Sequence, residues 1–480
     1  MWHRKMPIRA APFTHQRAAF EEAARRFGLA DGIIRSRGYG LLFEMGCGKS
    51  LTAIAIAGAL YLAGKIKRVL VVAPLSVLGV WDEEFAKYAD FEYSLTVLTG
   101  DSTKKKAEAL GRITGSGLQI AVVNYDSAKL DGLSGKIMTW SPDLIIADEG
   151  HKMKTARTNT SKAMHRFGAR ATYKLLLTGT VITNKAFDVF SQYKFLNPTI
   201  FGSNYTSFKN LYFDELKFVN FSKLTLKPSM ERDLMERIHS IAFRATKSEC
   251  LDLPETTDVI RHVDLEPEAM RVYRDLVRES YAELAKGEVT VTNVLTRLLR
   301  LSQLTGGFIG DDEGNAPQRI SAAKLSALKD IVDGVLQEGK KIVVIARFVA
   351  EIKAICKMLE KRGIGYSCIM GGVTNREEQV TAFQNDPVVQ VFVGQIATAG
   401  LGITLTAAST LVFYSTDYSM SNHEQAKARI HRVGQRHPCT YIYLAARKTI
   451  DEKVLAALRN KADLARTLVD DYRNGGNIFG

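Results

Sequence analysis

The chain has 480 residues, 46% of them hydrophobic and 24% charged, an ordinary composition for a globular enzyme long enough for two domains. Lys and Arg exceed Asp and Glu by 14 (65 against 51), which suggests a polyanionic partner without proving one. Five cysteines show no CxxC and no nearby His at metal-ligand spacing, which argues against a zinc module and a disulfide framework. With no secretory signal and no apolar run long enough to span a bilayer, we expect a soluble cytoplasmic protein without a membrane partner.

The first half of the chain alternates short β-branched runs with helical stretches. Such alternation is typical of βαβ units and predicts a parallel sheet. The predicted strands are 40–43, 68–73, 119–124, 144–147 and 173–177, and helical patterns cover 50–63 and 80–88.

The second half repeats this pattern, and the stretch between the halves differs from both. From about residue 185 to 330, aromatic-rich and then amphipathic helical segments dominate, with an exposed acidic loop at 310–317. We therefore predict an α/β fold of two tandem lobes, residues 1–250 and 251–480, the second with a helical insertion at about 265–330. The predicted strands of the second lobe are 341–346, 365–370, 389–394, 410–414 and 440–445.

A phosphate-binding loop is predicted at residues 44–50, EMGCGKS, between an apolar strand and a helix. Gly46 and Gly48 let the backbone curl so that amides, including that of Cys47, point at phosphate oxygens. Lys49 is expected to reach the β- and γ-phosphates of ATP, and the Ser50 hydroxyl to bind Mg²⁺. Phe43 stands where the usual pattern has its first glycine.

An apolar run ending in two acids, LIIADEGH at 144–151, predicts a second part of this site. Asp148 and Glu149 would lie at the carboxyl edge of the sheet, where α/β proteins bind ligands. Asp148 is expected to hold Mg²⁺ and Glu149 to orient or deprotonate the attacking water. The alternative is a pair of acids that caps the next helix.

Two further motifs suit nucleotide chemistry. In QAKARIHRVGQR, at 425–436, the spacing puts Gln425, Arg429 and Arg432 on one face of a helix, as a clamp for a γ-phosphoryl group or as a basic stripe lying on nucleic acid. Near the start, FTHQ ends in Gln16, a weak signal for an adenine-binding amide.

Taken together, these motifs resemble the Swi/Snf branch of superfamily-two helicase-like ATPases over nearly the whole chain. The residues 44–50, 71–88, 148–154 and 175–184 are similar to motifs I, Ia, II and III, with Val181 where proline is usual. The residues 341–348, 397–409 and 425–436 are similar to motifs IV, V and VI. The absence of a recognisable accessory module makes the chain look like the minimal bacterial or viral members, which would place it with the nucleoid or in a host cytoplasm.

The resemblance implies two RecA-like lobes, ATP and Mg²⁺ as cofactors, and roles for the matching residues. Gln16 would read adenine, Gly402 and its neighbours would approach the nucleotide from the second lobe, and Arg429 and Arg432 would be arginine fingers. The changes at Phe43 and Val181 leave the charged catalytic set intact, so we expect altered coupling rather than lost activity.

The resemblance also implies translocation along double-stranded DNA, which the protein would bind without sequence preference through phosphate contacts. Three alternatives stay open at this point: a strand-separating or annealing helicase on forks, single strands or RNA; a non-catalytic nucleic-acid-binding scaffold; and a P-loop metabolic kinase. The residues expected to contact the nucleic-acid backbone are Ser76, Asn124, Thr178, Arg347, Gly371, Thr374 and Thr398.

Overall fold

Two compact units make up the protein, Met1–Asp252 and Leu253–Gly480, and each is built on one parallel sheet covered by helices. The predicted α/β class with two tandem parallel-sheet lobes is confirmed. The computed structural model describes residues 5–100, 102–179, 186–217, 222–250, 253–286, 291–310, 317–371, 375–396 and 403–459.

The sheet of the first unit has seven strands in the order β3-β4-β2-β5-β6-β1-β9, all parallel. The inner strands are buried on both faces, which is why they read as continuous apolar runs in the sequence. The strands are β1 Gly38–Phe43, β2 Arg68–Ala73, β3 Tyr93–Val97, β4 Leu118–Asn124, β5 Leu144–Asp148, β6 Tyr173–Leu177 and β9 Ala242–Ala245, with the separate antiparallel hairpin β7 Phe213–Lys217 and β8 Ser222–Leu226.

Helices cover both faces of this sheet. The most deeply buried is α2, which is apolar all round because it packs between the sheet and α1. Within the described part of the chain, no helix combines the length and the apolar character needed to cross a bilayer. The helices are α1 Thr14–Arg26, α2 Lys49–Leu62, α3 Leu78–Tyr88, α4 Thr103–Gly111, α5 Tyr125–Ala128, α6 Asp131–Trp140, α7 Asn159–Arg170, α8 Val189–Leu196, α9 Tyr205–Tyr212, α10 Glu231–His239 and α11 Lys247–Cys250.

Alternate residues of each strand enter different hydrophobic clusters. In β2, Val69 and Val71 pack with α1 and α2, whereas Leu70 and Val72 pack in the cluster on the opposite face. The strand order also places β5, β6 and β1 side by side, with Asp148 paired to Leu177 in register. The loops that follow these three strands therefore share one edge of the sheet.

The second unit contains a six-stranded parallel sheet in the order β10-β17-β16-β13-β15-β14, with a small antiparallel pair beside it. Its strands are β10 Thr256–Val263, β11 Phe308–Ile309, β12 Gln318–Arg319, β13 Lys341–Ala346, β14 Gly365–Ile369, β15 Val389–Gln395, β16 Ala408–Phe413 and β17 Cys439–Ala446. Its helices are α12 Pro267–Lys286, α13 Val291–Thr305, α14 Ala323–Gln337, α15 Val349–Glu360, α16 Arg376–Asn385, α17 Met420–Ile430 and α18 Ile450–Arg459.

The sequence pattern predicts one of the four edge strands of the two large sheets, β14, and misses the other three. β3, β9 and β10 are not among the predicted strands, and the segment predicted to be aromatic-rich and then helical also contains the β7–β8 hairpin. β10, TTDVIRHV, is exposed at most positions, and β9 has only four residues. Edge strands in proteins are often short or polar, so they lack the apolar run that identifies an inner strand.

A buried carboxyl group lies where β13 and β16 end in the second unit. Glu351 on α15 is fully buried, and its Oε2 accepts hydrogen bonds from the backbone N–H groups of Arg347 (3.2 Å) and Phe348 (3.1 Å) and from the Ser415 hydroxyl. Burial raises the pKa of Glu351 to about 7, although these hydrogen bonds and the charge of Lys324 act in the opposite direction. The group thus ties the first turn of α15 to the end of β16.

Replacement of Glu351 by Gln is expected to remove one source of pH-dependent stability. An acid whose pKa is raised in the folded state stabilises the fold below its ordinary pKa and loses this contribution as the pH rises through 7. Between about pH 5 and about pH 8, the free energy of unfolding of the native protein should fall by about 1–3 kcal/mol relative to that of Glu351→Gln. Calorimetric melting over this range measures the difference, with Glu360→Gln on the exposed side of α15 as control. A gap in melting temperature that does not change with pH would refute the assignment.

Candidate nucleotide site

The loop at 44–50 joins β1 to α2 at the carboxyl edge of the first sheet. Gly46 (φ 91°) and Gly48 (φ 83°) have left-handed backbones, which glycine adopts without steric cost. A Cβ atom at position 48 would also lie 2.1 Å from Nε2 of Gln16. The loop therefore curls onto the N-terminus of α2, where backbone amides and the helix dipole favour phosphate.

Lys49 and Ser50 form the first turn of α2, and both are half-buried. Nζ of Lys49 donates to the carbonyl of Phe43 at 3.2 Å, which places the ammonium group at the end of β1. The Phe43 side chain is fully buried and packs edge-on against the rings of His15 and Phe243. Phe43, the last residue of β1, stands where the usual pattern has its first glycine, and its ring fills a place in the core there.

The loop is held from outside by α1. Nε2 of Gln16 donates to the carbonyl of Cys47 at 3.1 Å, and a ring nitrogen of His15 lies 2.8 Å from the same oxygen. Oε1 of Gln16 accepts from the backbone N–H of Phe13 at 2.9 Å. The Cys47 thiol is fully buried, and burial raises its pKa to about 11, so this thiol is not a ready nucleophile.

Asp148, at the end of β5, is fixed by three donors. Nε1 of Trp81 donates to Oδ2 at 3.0 Å, the backbone N–H of Glu149 donates to Oδ1 at 2.9 Å, and the Tyr125 hydroxyl donates to the backbone carbonyl of Asp148 at 2.8 Å. Burial and then the Glu149 charge raise the pKa of Asp148 to about 6, while the Lys49 charge and the Trp81 hydrogen bond lower it. Asp148 and the phosphate-loop lysine therefore act on each other electrostatically.

Glu149 has an unusual backbone for a non-glycine residue, with φ 49° and ψ 54°. This left-handed conformation costs about 1–3 kcal/mol and is found most often at functional sites. Its Oε2 lies 3.2 Å from Nδ1 of His151, so an imidazole ring is the close neighbour of this carboxylate. The left-handed turn comes directly after Asp148, the last residue of β5.

Three predicted nucleic-acid contacts also follow strands of the first sheet. Thr178 is fully buried after β6, and Asn124 at the end of β4 is 7% exposed. Oδ1 of Asn124 has no hydrogen-bond donor among the described residues. Ser76 lies in the 3-10 turn Leu75–Val77 that precedes α3. Contact of these residues with nucleic acid stays a prediction.

In the second unit, two arginines approach one backbone oxygen. Nη1 of Arg429 lies 3.5 Å and Nη1 of Arg432 lies 3.4 Å from the carbonyl of Ile403. The prediction that both share a helix face with Gln425 is wrong for Arg432, because α17 ends at Ile430 and Arg432 lies in the following loop. The two guanidinium groups still come together because this loop turns back toward Ile403.

Gln435 holds that loop in place. Its side-chain amide donates to the carbonyls of Ala408 (2.8 Å) and Ile430 (3.1 Å), and its Oε1 accepts from the backbone N–H groups of Arg436 and His437, both at 2.9 Å. The side chain is 6% exposed. The glutamine that ends the RVGQ sequence is therefore a structural residue.

The other positions predicted in the second unit are partly described. The guanidinium group of Arg347 packs on the Tyr418 ring, 4.3 Å from its centroid, and the backbone N–H of Gly371 donates to Oε1 of Gln395 at 3.2 Å. Gln425 lies within α17. Thr374, Thr398 and Gly402 lie outside the described residues.

The family model of the SNF2-related domain matches residues 33–306, more than half of the chain, and the helicase conserved C-terminal domain matches residues 323–434. The chain belongs to the SNF2-related family. The predicted resemblance to this family of helicase-like ATPases is thereby confirmed.

Curated relatives include a chromodomain-helicase-DNA-binding protein 1-like of Danio rerio, 25% identical over 90% of this chain and 42% of its own length. The DNA repair and recombination protein RDH54 of Saccharomyces cerevisiae is 26% identical over 89% of this chain and 51% of its own length. The chain thus spans about half the length of the curated relatives it matches.

Solved structures of a SWI2/SNF2 ATPase core from Sulfolobus solfataricus are also similar to the chain. The core in complex with double-stranded DNA is 25% identical with a TM-score of 0.46, over 100% of this chain and 96% of that one. The core domain alone is 22% identical with a TM-score of 0.43, over 100% and 97%.

The oxygen donors of this SNF2-family site fit Mg²⁺. Ser50 supplies a hydroxyl and Asp148 a carboxylate, which are hard ligands, and Mg²⁺ commonly combines one or two such groups with substrate phosphates and water. Among the residues that the structure describes, no cluster of three or more His, Cys, Asp or Glu side chains could hold a metal without such help. The site therefore suits a cation that arrives with nucleotide.

Sequence reasoning missed the residues that position Asp148. Trp81 lies in the stretch 71–88, and Tyr125 follows β4 directly. An indole or phenol that is buried near a strand end usually has a hydrogen-bond partner, and this was the available signal. Which partner it has depends on the order of β2, β4 and β5, which the sequence does not display.

Trp81→Phe is expected to weaken cation binding while an aromatic ring still fills most of the buried position. The variant loses the N–H donor to Asp148, so the pKa of Asp148 rises further and its charged form becomes scarcer. A hydrogen bond to a charged group contributes about 1.5–3 kcal/mol, so half-maximal ATPase activity should require roughly tenfold more Mg²⁺ or more, most clearly at low pH. Trp140→Phe on α6 is the matched control. Identical Mg²⁺ titrations of the two variants would contradict a positioning role for Trp81.

Proposed function

We propose that the protein hydrolyses ATP and couples hydrolysis to movement along double-stranded DNA, without sequence preference, to remodel or displace what is bound there. The observation that carries the hydrolytic part is the convergence of the phosphate loop, Lys49, Asp148 and Glu149 at one sheet edge. Coupling to DNA is supported by membership of the SNF2-related family and by the excess of 14 basic residues.

In the proposed reaction, the oxygen of a water molecule attacks the γ-phosphorus and the bond from that phosphorus to the β,γ-bridging oxygen breaks, giving ADP and phosphate. We assign Glu149 to orient this water and accept its proton, with the His151 ring 3.2 Å from the carboxylate. Lys49 binds the β- and γ-phosphate oxygens, and the loop amides bind the remaining charge. Mg²⁺, when bound by Ser50 and Asp148, would supply charge neutralisation of the phosphates.

Adenine recognition is assigned to Gln16, since its amide lies against the phosphate loop. Phe13, which is 43% exposed beside it, offers a ring face for stacking. Because the Oε1 atom of Gln16 already accepts from Phe13, the second amide hydrogen is the group that remains for a base acceptor.

Arg429 and Arg432 are assigned to the charge that develops on the transferred phosphoryl group. Their convergence on the Ile403 carbonyl supports a shared role, because two planar guanidinium groups suit phosphate oxygens. This role requires the second unit to bring the arginines to nucleotide during turnover, so that hydrolysis depends on lobe closure.

Three substitutions separate binding from chemistry. Lys49→Ala should weaken nucleotide binding, whereas Glu149→Gln should bind ATP and fail to hydrolyse it. Arg432→Ala should leave ATP affinity within a few-fold and lower kcat by about 10³-fold, since a finger acts on the transition state. Fluorescent-nucleotide binding and steady-state ATPase measurements test all three, and Arg436→Ala is a control four residues further on. An equal loss of binding and turnover in Arg432→Ala would refute the finger assignment.

The ATPase rate with different nucleic acids tests the proposed track. Blunt duplex DNA should stimulate hydrolysis strongly, with single-stranded DNA and structured RNA much weaker, and stimulation should fall steeply with salt as phosphate contacts release counterions. Duplexes of unrelated sequence should stimulate equally. Displacement of a third strand from a triplex would then report movement.

Other outcomes of this experiment would replace the proposal. Stimulation by single strands or RNA alone, with unwinding of a labelled fork, would indicate a strand-separating helicase. Binding of nucleic acid without phosphate release would indicate a non-catalytic scaffold.

A further inference from the structure

A groove of about 830 Å³ lies on the second unit, away from the residues assigned to nucleotide. Its walls are α14 and α15, and the β11–β12 pair contributes to one end. The groove extends along α15 from Val349 to Arg362, just beyond the end of this helix. A space of this size is in the usual range for a binding site.

The floor of the groove is apolar. Leu325 on α14 and Met358 on α15 are partly exposed in it and also pack against the hydrophobic core of the unit. Ala354 and Phe308 extend this surface, and Val349 is 41% exposed at one end. Because the floor is continuous with the core, it is a firm surface on which apolar side chains could be buried.

The rim of the groove is strongly basic. Lys353, Lys357 and Lys361 recur at intervals of four residues, so they form one exposed row along α15. The other cations that line the groove are Arg319, Lys329 and Arg362. No acidic side chain is part of the lining that the structure describes.

Among the described residues, few of these positive charges have an acidic partner. Arg362 forms an ion pair with Asp333 of α14. In the described residues, no carboxylate lies within ion-pair distance of the lysines at positions 329, 353, 357 and 361. The nearby Glu360 instead accepts a hydrogen bond from the Tyr366 hydroxyl. Like charges along one row repel each other, so an anionic ligand would relieve an existing cost.

We propose that this groove binds an acidic amphipathic segment of a partner protein. Its carboxylates would pair with the row of lysines on α15, and its apolar side chains would cover Leu325, Ala354 and Met358. A nucleic-acid backbone would satisfy the lysines but has no apolar side chains for the floor, and burial of that floor distinguishes the two ligands. The groove would thus connect the ATPase to a partner without use of the nucleotide site.

Fluorescence anisotropy of the full chain with synthetic peptides tests this proposal. The probe is a labelled peptide that alternates Glu-Glu and Leu-Leu pairs, compared with one in which Gln replaces Glu and one in which Ser replaces Leu. Both replacements should weaken binding at least about tenfold, since carboxylates and apolar side chains contribute together. If the Ser-containing peptide bound as tightly as the Leu-containing one, the groove would be a non-specific basic surface and the proposal would be overturned.

A charge-reversal variant locates the binding. The triple variant combines Lys353→Glu, Lys357→Glu and Lys361→Glu. It should bind the acidic peptide about tenfold more weakly or worse, and its duplex-stimulated ATPase activity should be unchanged. The matched control reverses Arg271, Arg274 and Arg278, three exposed cations of α12 that do not line the groove, and should bind the peptide normally.

Two results would overturn the proposal. Equal peptide affinity in the two triple variants would remove the groove as the site. Displacement of the peptide by duplex DNA, with loss of duplex affinity in the lysine variant, would identify a surface for the DNA backbone instead. Neither result depends on whether the protein moves along DNA, so the proposed function is tested separately by the ATPase rates.

Discussion

The edge of the first sheet depends on the contacts of one partly buried carboxyl group, Asp148, with Lys49 and Trp81. Its pKa, raised to about 6 by burial and by the Glu149 charge, leaves little margin at neutral pH, and the Lys49 charge and the Trp81 hydrogen bond are the largest effects that favour the carboxylate form. Both contributions depend on the order β2-β5-β6-β1 in the sheet, because it brings the segments after β1, β2 and β5 to a common edge. The strand order and the ionisation of this acid therefore depend on each other, since a different order would leave Asp148 buried without the counter-charge of Lys49.

In the second unit, a loop and not a helix or strand positions the long cationic side chain of Arg432. Of the two arginines, α17 contains Arg429 alone, because the helix ends at Ile430. The loop that carries Arg432 is fixed instead by the amide of Gln435, which uses both its donor and its acceptor groups on backbone atoms. The fixed backbone keeps Arg432 near Arg429 at the carbonyl of Ile403.

Much of this organisation follows from the sequence, and the exceptions have physical reasons. The inner strands and the phosphate loop are specified by apolar runs and by the two glycines of EMGCGKS, which are local signals. The edge strand β10 lacks an apolar run because water covers most of its side chains. The Trp81–Asp148 contact joins residues 67 positions apart, so only the fold reveals it. The spacing of the residues could not predict that α17 ends at Ile430, because an argument from spacing assumes that the helix continues.

The contacts of α1 with the phosphate loop have a consequence for how the protein opens. His15 and Gln16 both contact the carbonyl of Cys47, so the loop and the helix Thr14–Arg26 share hydrogen bonds and form one cooperative unit. Local fluctuations that fray α1 must then also release the loop, and amide hydrogens in the two segments should exchange with solvent together. The loop accordingly has its shape before any ligand arrives, because its conformational entropy is lost during folding.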